Sequence, residues 1–391
     1  MKGFLMNNRW SLAGLCAASI LAANAAMAAA PSPPLKQTMR DIYRSVEILL
    51  PLSIQEYNPG NQADLVLAES HLKRLEDQLD VLEKHSSKRT GDPGFAFIGD
   101  SLVRDIRNAR HLFKAGRYPE SAFMVRHMVE NCVSCHTRVA GAGDAGFASG
   151  LMKKLDTRYL ELPDIALLQT ATRQFDAAMD TREKIIREAA EGRRIVPVRP
   201  FIEYLTLALR VKKDPARARR TLEEVTRSAH LPAFVMDDIR GWVKDLKDPA
   251  LKPSGKRSSL DEARRIMEKG QALIEYPTDR RGVVHYIMAS GHLIDNLQKP
   301  NISKEETAET CYLLGVTELI VGRSFWLSQA DLYFEASIRA DPKGLRARKA
   351  FRLLEENIVT GFTGSSGTHI PRDVQARLNE LADLIGEKRR I

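Results

Sequence analysis

Two cysteines and a histidine form the most chemically specific motif in this sequence. Cys132 and Cys135 are separated by two residues and His136 follows directly, which gives the pattern C-x-x-C-H. Positions i and i+3 of a helix lie on one side, so both thiols can add to the two vinyl groups along one porphyrin edge. The histidine is then held beneath the iron as its proximal ligand. The motif therefore predicts one covalently attached c-type haem.

Two other kinds of site also use closely spaced cysteines. A thioredoxin-like redox pair normally begins a helix that follows a strand, and no strand pattern precedes Cys132. A zinc site needs a second C-x-x-C or an H-x-x-x-H pair, which the sequence lacks. Cys311 lies in a separate helical run, and its context predicts a buried structural thiol.

Residues 1–28 have the features of a signal peptide. Lys2 and Arg9 give a positively charged start, an uncharged stretch rich in Ala and Leu follows, and residues 26–28 form a small-x-small cleavage site. An uncleaved N-terminal membrane anchor is the alternative. A lipid-modified Cys16 is disfavoured, because the residue before it is a bulky leucine. We expect export to the periplasm.

Composition excludes several classes of protein for the rest of the chain. With 43% hydrophobic and 28% charged residues, it is neither a disordered nor a collagen-like chain. No stretch after residue 30 has the 18 apolar residues that would predict a membrane span. Removing Lys2 and Arg9 leaves 57 basic and 50 acidic residues, a net charge of +7. Because the two signs are interspersed, nucleic acid is not an expected partner.

The residues before the motif divide into four helical segments. Apolar residues recur every three or four positions over Leu35–Leu49, Leu65–Leu82, Phe95–Phe113 and Ala122–His136. Proline- and glycine-containing turns separate these segments. Four amphipathic helices with short loops predict an up-down-up-down bundle over residues 35–140, with the haem motif near the end of the last helix.

This arrangement resembles the cytochrome c-prime superfamily, including its low-spin c-type members and the soluble four-helix cytochrome b. The resemblance covers roughly residues 35–140 and rests on helix number and motif position. It implies His136 as the proximal ligand, and in six-coordinate members a methionine from early in helix one, the place of Met39. Family members often carry an aromatic–Arg pair three and four residues after the histidine. Residues 137–139 are Thr-Arg-Val instead, so an arginine partner for the haem propionates is not implied.

Bundle geometry gives an independent expectation for the second axial ligand. The start of helix one and the end of helix four share one level in an antiparallel bundle, so Met39 should lie near His136. His85, at the end of helix two, is the histidine rival at that level. A plain core methionine with an open, five-coordinate iron is the remaining alternative.

The C-terminal part of the chain is predicted to be a separate helical domain. Residues 141–160 include a glycine-rich stretch typical of a linker. Residues 161–391 show helix pairs, and Ala330–Pro342 resembles the second helix of a tetratricopeptide repeat. An α-solenoid-like domain with degenerate repeats would offer a concave surface for a protein partner. The alternative is a domain that only packs on the bundle.

These features together predict an all-α, exported monohaem c-type cytochrome that carries single electrons to a redox partner. The competing hypothesis is a five-coordinate, gas-binding or sensing haem protein. A haem enzyme such as a peroxidase is disfavoured, because no distal acid–base pair is evident. The sequence also lacks the H-E-x-x-H and G-x-S-x-G motifs of hydrolytic enzymes.

Overall fold

The structure, a computed structural model, describes residues 35–54, 57–86, 93–138, 160–195, 198–251, 257–276, 279–321 and 329–387 of the 391-residue chain. These residues are almost entirely helical, which confirms the all-α prediction. The predicted signal peptide lies outside the described residues, and so does the predicted linker apart from Leu160. No helix in the described ranges is long and apolar enough to cross a membrane.

Five helices occupy the N-terminal part: α1 Leu35–Ile54, α2 Gln62–Asp77, α3 Leu79–Ser86, α4 Pro93–Lys114 and α5 Tyr118–His136. Helices α1 and α4 each pack against both α2 and α5, so each of these four has two neighbours among the others. Their apolar stripes meet in one cluster, called the N-terminal core, which includes Leu49, Leu72, Ile106 and Val125. Hydrophobic burial along these stripes is what holds the four helices together.

The predicted second helix is interrupted once. Its apolar stripe was continuous from Leu65 to Leu82, but the structure ends α2 at Asp77 and begins α3 at Leu79. The backbone N–H of Gln78 bonds to the carbonyl of Leu75, three residues back, which tightens the chain at that point. Leu75 and Leu79 remain buried on either side, so the stripe itself carries no sign of the break.

The C-terminal part is a succession of helices with two short irregular turns. Most consecutive helices pack on one another. Their bounds are α6 Leu162–Ala171, α7 Phe175–Ala190, α8 Arg199–Leu205 with a π-helical turn Thr206–Val211, α9 Pro215–Val225, α10 Ala233–Lys247 with a 3-10 turn Pro249–Leu251, α11 Ser259–Gln271, α12 Val283–Leu297, α13 Lys304–Val321, α14 Ala330–Ala340, α15 Ala347–Gly361 and α16 Arg372–Ile385.

A small antiparallel hairpin lies between α15 and α16. Strands β1 (Thr363–Gly364) and β2 (Gly367–Thr368) pair within a glycine-rich segment. Gly367 has a φ of 105°, a value that side-chain-bearing residues rarely adopt, and this explains the glycine at the turn.

N-terminal and C-terminal helices pack against each other. Helix α6 packs against α5, and α14 packs against α4. Where α6 meets α5, five buried residues from α1, α5 and α6 form a small apolar group, called here the junction cluster. Its members are Leu50, Val129, Val133, Leu168 and Ala171.

Candidate functional site

The C-x-x-C-H motif occupies the last turns of helix α5. Thr137 caps the helix, and its backbone N–H and its hydroxyl both donate to the carbonyl of Val133, at 3.0 and 2.9 Å. Cys132 and Cys135 are half-buried, and within the described residues no disulfide joins them. The two thiols therefore stand one turn apart at a helix C-terminus, followed directly by His136.

His136 is fixed by a backbone acceptor from another helix. Its Nδ1 lies 2.8 Å from the carbonyl oxygen of Ala171, the last residue of α6. Because a carbonyl can only accept, Nδ1 carries the proton and Nε2 keeps its lone pair. Burial lowers the pKa of His136 to about 4, against the opposing effect of the Ala171 hydrogen bond. The imidazole is therefore neutral at physiological pH, which is the state that ligates a metal.

Cys132 is held as a neutral thiol. Burial raises its pKa to about 11, and the sulfur lies 3.7 Å from the carbonyl of Met128 one turn earlier. The negative end of the α5 dipole also disfavours a thiolate at this position. Reactive C-x-x-C thiols show the opposite arrangement, at helix N-termini with a lowered pKa.

A mostly apolar cavity of about 280 Å³ lies beside the junction cluster. It shares Leu50, Val129 and Leu168 with the junction cluster, against which Cys132 also packs. Two charged side chains at its wall, Arg126 and Asp164, are the exceptions to an otherwise apolar lining. The guanidinium of Arg126 donates to the backbone carbonyl of Ser53.

These features fit a covalently attached haem. Two thiols on one helical turn can form the two thioethers, and the neutral His136 offers Nε2 as a ligand. The cavity borders the junction cluster against which Cys132 packs, and its volume of about 280 Å³ is below the usual range for ligand pockets, roughly 300–1,000 Å³. No group of three or more His, Cys, Asp or Glu side chains in the described residues is placed to hold a metal ion.

The second axial ligand remains a prediction. Met39 is half-buried and packs against the N-terminal core, which contains Leu79, Leu82 and Met128. Cys132, in contrast, packs against the junction cluster. The backbone of His85 belongs to α3, while its side chain lies outside the described part of the structure.

The structure gives Arg138 a buried position that the sequence did not predict. Its guanidinium donates to a carboxylate oxygen of Glu318 at 2.7 Å and to the hydroxyl of Tyr333 at 2.9 Å. These partners come from α13 and α14, far along the chain. Arg210, on the π-helical turn, approaches the same carboxylate at 3.7 Å and donates to Ser290 at 2.7 Å.

Sequence reasoning missed Ala171, Glu318 and Tyr333. A backbone carbonyl leaves no trace in residue type, so nothing in the sequence could single out Ala171. A glutamate among apolar residues near the C-terminal end of α13 is a weak signal for Glu318, because buried carboxylates need a charged partner.

Comparisons with known proteins add no family assignment. No family model, no curated protein and no solved structure matches this chain. Its function must be inferred from the motif and from the geometry around it.

Proposed function

We propose that the protein is an exported, monohaem c-type cytochrome that transfers single electrons. The observation that carries this proposal is the combination of two thiols one turn apart with a histidine whose proton is held on Nδ1. The carbonyl oxygen of Ala171 accepts a hydrogen bond from Nδ1 of His136 at 2.8 Å, which leaves Nε2 available as a ligand for iron. A thiol pair with these neighbours is suited to haem attachment.

Each group near the motif has a definite part in this function. Cys132 and Cys135 would hold the haem by thioether bonds, and His136 would be its proximal ligand. The bound haem supplies a reversible ferric–ferrous couple, which is the one-electron chemistry. The hydrogen bond to Ala171 orients the imidazole and raises its basicity as a ligand. The apolar junction cluster limits the access of water to the site.

The helix packing supports the finer architecture that the sequence predicts. Helices α1, α2, α4 and α5 pack in a closed ring, as expected for a four-helix haem bundle of the cytochrome c-prime kind. Most of the later helices pack on their chain neighbours, as expected for an α-solenoid-like domain, while α10 packs on α9 and α12. In this proposal the bundle carries the haem and the helical domain docks a redox partner in the periplasm.

One observation favours a second candidate, a five-coordinate haem protein that binds or senses small gases. Met39 packs against the N-terminal core, whereas Cys132 packs against the junction cluster. If the haem follows Cys132 to the junction cluster, Met39 belongs to a different apolar cluster from the haem. The iron would then keep an open position.

The position of the motif disfavours a dithiol redox site. The motif ends a helix, whereas redox pairs typically begin one. A zinc site needs further Cys or His ligands, and the sequence has no second C-x-x-C or H-x-x-x-H pair.

Extraction of the haem tests the proposal directly. The full chain is produced in a periplasm with a c-type haem attachment system and treated with acid–acetone. We expect the haem to stay on the polypeptide and to give a c-type pyridine haemochrome. Cys132→Ser and Cys135→Ser should each weaken retention, while Cys311→Ala should not, because Cys311 is buried in α13 away from the motif. A wild-type chain that binds no haem, or releases it into the solvent, would contradict the proposal.

A further inference from the structure

We propose that helix α6, which lies beyond the predicted bundle, is part of the haem site, and that Arg173 is a positioning residue for His136. The C-terminal turn of α6 presents one carbonyl, that of Ala171, as a fixed acceptor for the proximal histidine. This inference rests on the proposed haem attachment, and it assigns a role to residues of the C-terminal part.

The hydrogen bonds of the last turn show why this carbonyl is left for His136. The final carbonyls of a helix have no partner within the regular helix and must be satisfied by other groups. Three of them are taken by backbone N–H groups that follow α6: Thr172 to Leu168 at 3.0 Å, Arg173 to Thr170 at 3.0 Å and Gln174 to Gln169 at 2.8 Å. The carbonyl of Ala171 is the fourth, and its partner is His136.

Arg173 creates this turn through its backbone conformation. Its φ is +58°, the left-handed region in which residues other than glycine are uncommon. A left-handed residue after the helix end is what closes the two reverse hydrogen bonds of a Schellman motif. The bonds from Arg173 and Gln174 have that pattern, so the direction of the Ala171 carbonyl depends on the conformation of Arg173.

The other side of the hydrogen bond is anchored as well. Two residues beyond His136, the buried guanidinium of Arg138 is held by Glu318 and Tyr333. The end of α5 is thereby tied to α13 and α14, while α6 is closed by its own turn. Both partners of the His136–Ala171 bond are fixed by groups from the C-terminal helices.

A fixed acceptor has a consequence for the iron. An imidazole that donates a strong hydrogen bond from Nδ1 is a more basic ligand at Nε2. A more basic ligand stabilises the ferric state relative to the ferrous state. Weakening the bond to Ala171 is therefore expected to raise the reduction potential and to lower the iron–histidine stretching frequency of the ferrous protein.

Two substitutions at Arg173 separate its conformation from its charge. Arg173→Gly and Arg173→Val both remove the guanidinium, but only glycine adopts a positive φ without strain. In the full-length holoprotein, we expect Arg173→Val to have the higher potential and the lower stretching frequency of the two. Arg173→Ala should fall between them and serves as the test variant if Arg173→Val does not fold. If Arg173→Val folds and has the same reduction potential as Arg173→Gly, the inference is overturned. If Arg173→Val does not fold, the same result for Arg173→Ala overturns it.

A second measurement needs no haem. In the full chain carrying Cys132→Ser and Cys135→Ser, ¹⁵N NMR of the imidazole reports the tautomer of His136. We expect the Nδ1-protonated form in this background and with Arg173→Gly, and a mixture of tautomers with Arg173→Val. An Nε2-protonated histidine in the background chain would overturn the inference, even if haem attachment is confirmed. If His136 has the expected tautomer but the wild-type chain never binds haem, only the proposed function is contradicted.

Discussion

Arg138 and Glu318 are 180 residues apart in the chain, yet the Arg138 guanidinium donates to the Glu318 carboxylate at 2.7 Å in the protein interior. Both side chains are only 4% exposed. Arg210 lies 3.7 Å from the same carboxylate, so two guanidiniums share one negative charge. Burial, together with the charge of Arg138, lowers the pKa of Arg210 to about 10, and the charge of Glu318 opposes this effect. The cluster joins the end of α5, the helix with the C-x-x-C-H motif, to two C-terminal helices.

This arrangement predicts an unequal response to substitution. Glu318→Gln leaves two buried cations without an anion and should lower the free energy of unfolding by about 3–5 kcal/mol. Arg138→Gln leaves the Arg210–Glu318 pair balanced and should cost about 1.5–3 kcal/mol for the lost charged hydrogen bond. Urea unfolding measures both values.

The exposed pair Lys73–Asp77 provides the control for this comparison. Its side chains are 58% and 53% exposed, so Lys73→Gln should cost less than about 1 kcal/mol. If Glu318→Gln costs no more than Arg138→Gln, the buried cluster does not carry the excess positive charge described above.

Two glycines within neighbouring helices should respond to alanine with opposite signs. A Cβ at Gly315 of α13 would lie 2.5 Å from the ring of Phe334 on α14, so Gly315→Ala should destabilise the protein by about 1–3 kcal/mol. A Cβ at Gly291 of α12 would have no atom within 4 Å. Gly291→Ala should therefore stabilise its helix by roughly 0.5–1 kcal/mol. Thermal unfolding of both variants checks the close packing of α13 on α14, and equal shifts would argue against it.

Met39 decides between an electron carrier and a gas-binding protein. In a six-coordinate protein, Met39→Leu should make the iron high-spin, lower the reduction potential and allow fast binding of carbon monoxide, because a thioether ligand favours the ferrous state. Met124→Leu is the matched control, since Met124 is likewise half-buried against the N-terminal core. Each swap nearly conserves volume and should cost less than about 1.5 kcal/mol in stability. A wild-type protein that is already high-spin would favour gas binding, and a low-spin Met39→Leu variant would direct attention to His85.

The buried pair Asp245–His285 predicts a pH dependence of stability. The two side chains approach to 3.6 Å, and burial raises the pKa of Asp245 to about 7 while it lowers the pKa of His285 to about 4. Between about pH 4 and 6.5 the folded pair holds one proton, on Asp245. The unfolded pair also holds one, on His285, because the ordinary pKa values are 3.8 and 6.5. Their contributions therefore cancel in this range.

Asp245→Asn should remove this cancellation. His285 then binds a proton only in the unfolded chain, so the variant's stability should rise with pH from about 4 to 6.5, by on the order of 3 kcal/mol relative to wild type. Urea unfolding at a series of pH values measures the difference. Asp237→Asn, an exposed carboxylate on the same helix, should run parallel to wild type. A parallel course for Asp245→Asn as well would mean that His285 is not held neutral by burial.

Several local features of this protein follow from short-range patterns in its sequence. Apolar spacing predicts helices over residues 283–297 and 304–321, and these are the bounds of α12 and α13. The motif over residues 132–136 was placed near the end of a helix on the same grounds. Helix periodicity, capping and stop signals act within a few residues, so they can be read along the chain. The interruption at Gln78 could not be predicted, because the apolar stripe continues through it.

The residues that contact the motif depend on how distant helices pack together. The acceptor of His136 is a backbone carbonyl, a group that every residue carries, so its choice depends on where α6 ends and how it packs on α5. Arg138 finds Glu318 only after α13 and α14 have packed near the end of α5. A glycine-rich segment suggested an independent bundle, but a composition signal cannot show contacts between helices far apart in sequence. Those contacts arise from burying apolar faces and pairing buried charges, which are properties of the whole fold.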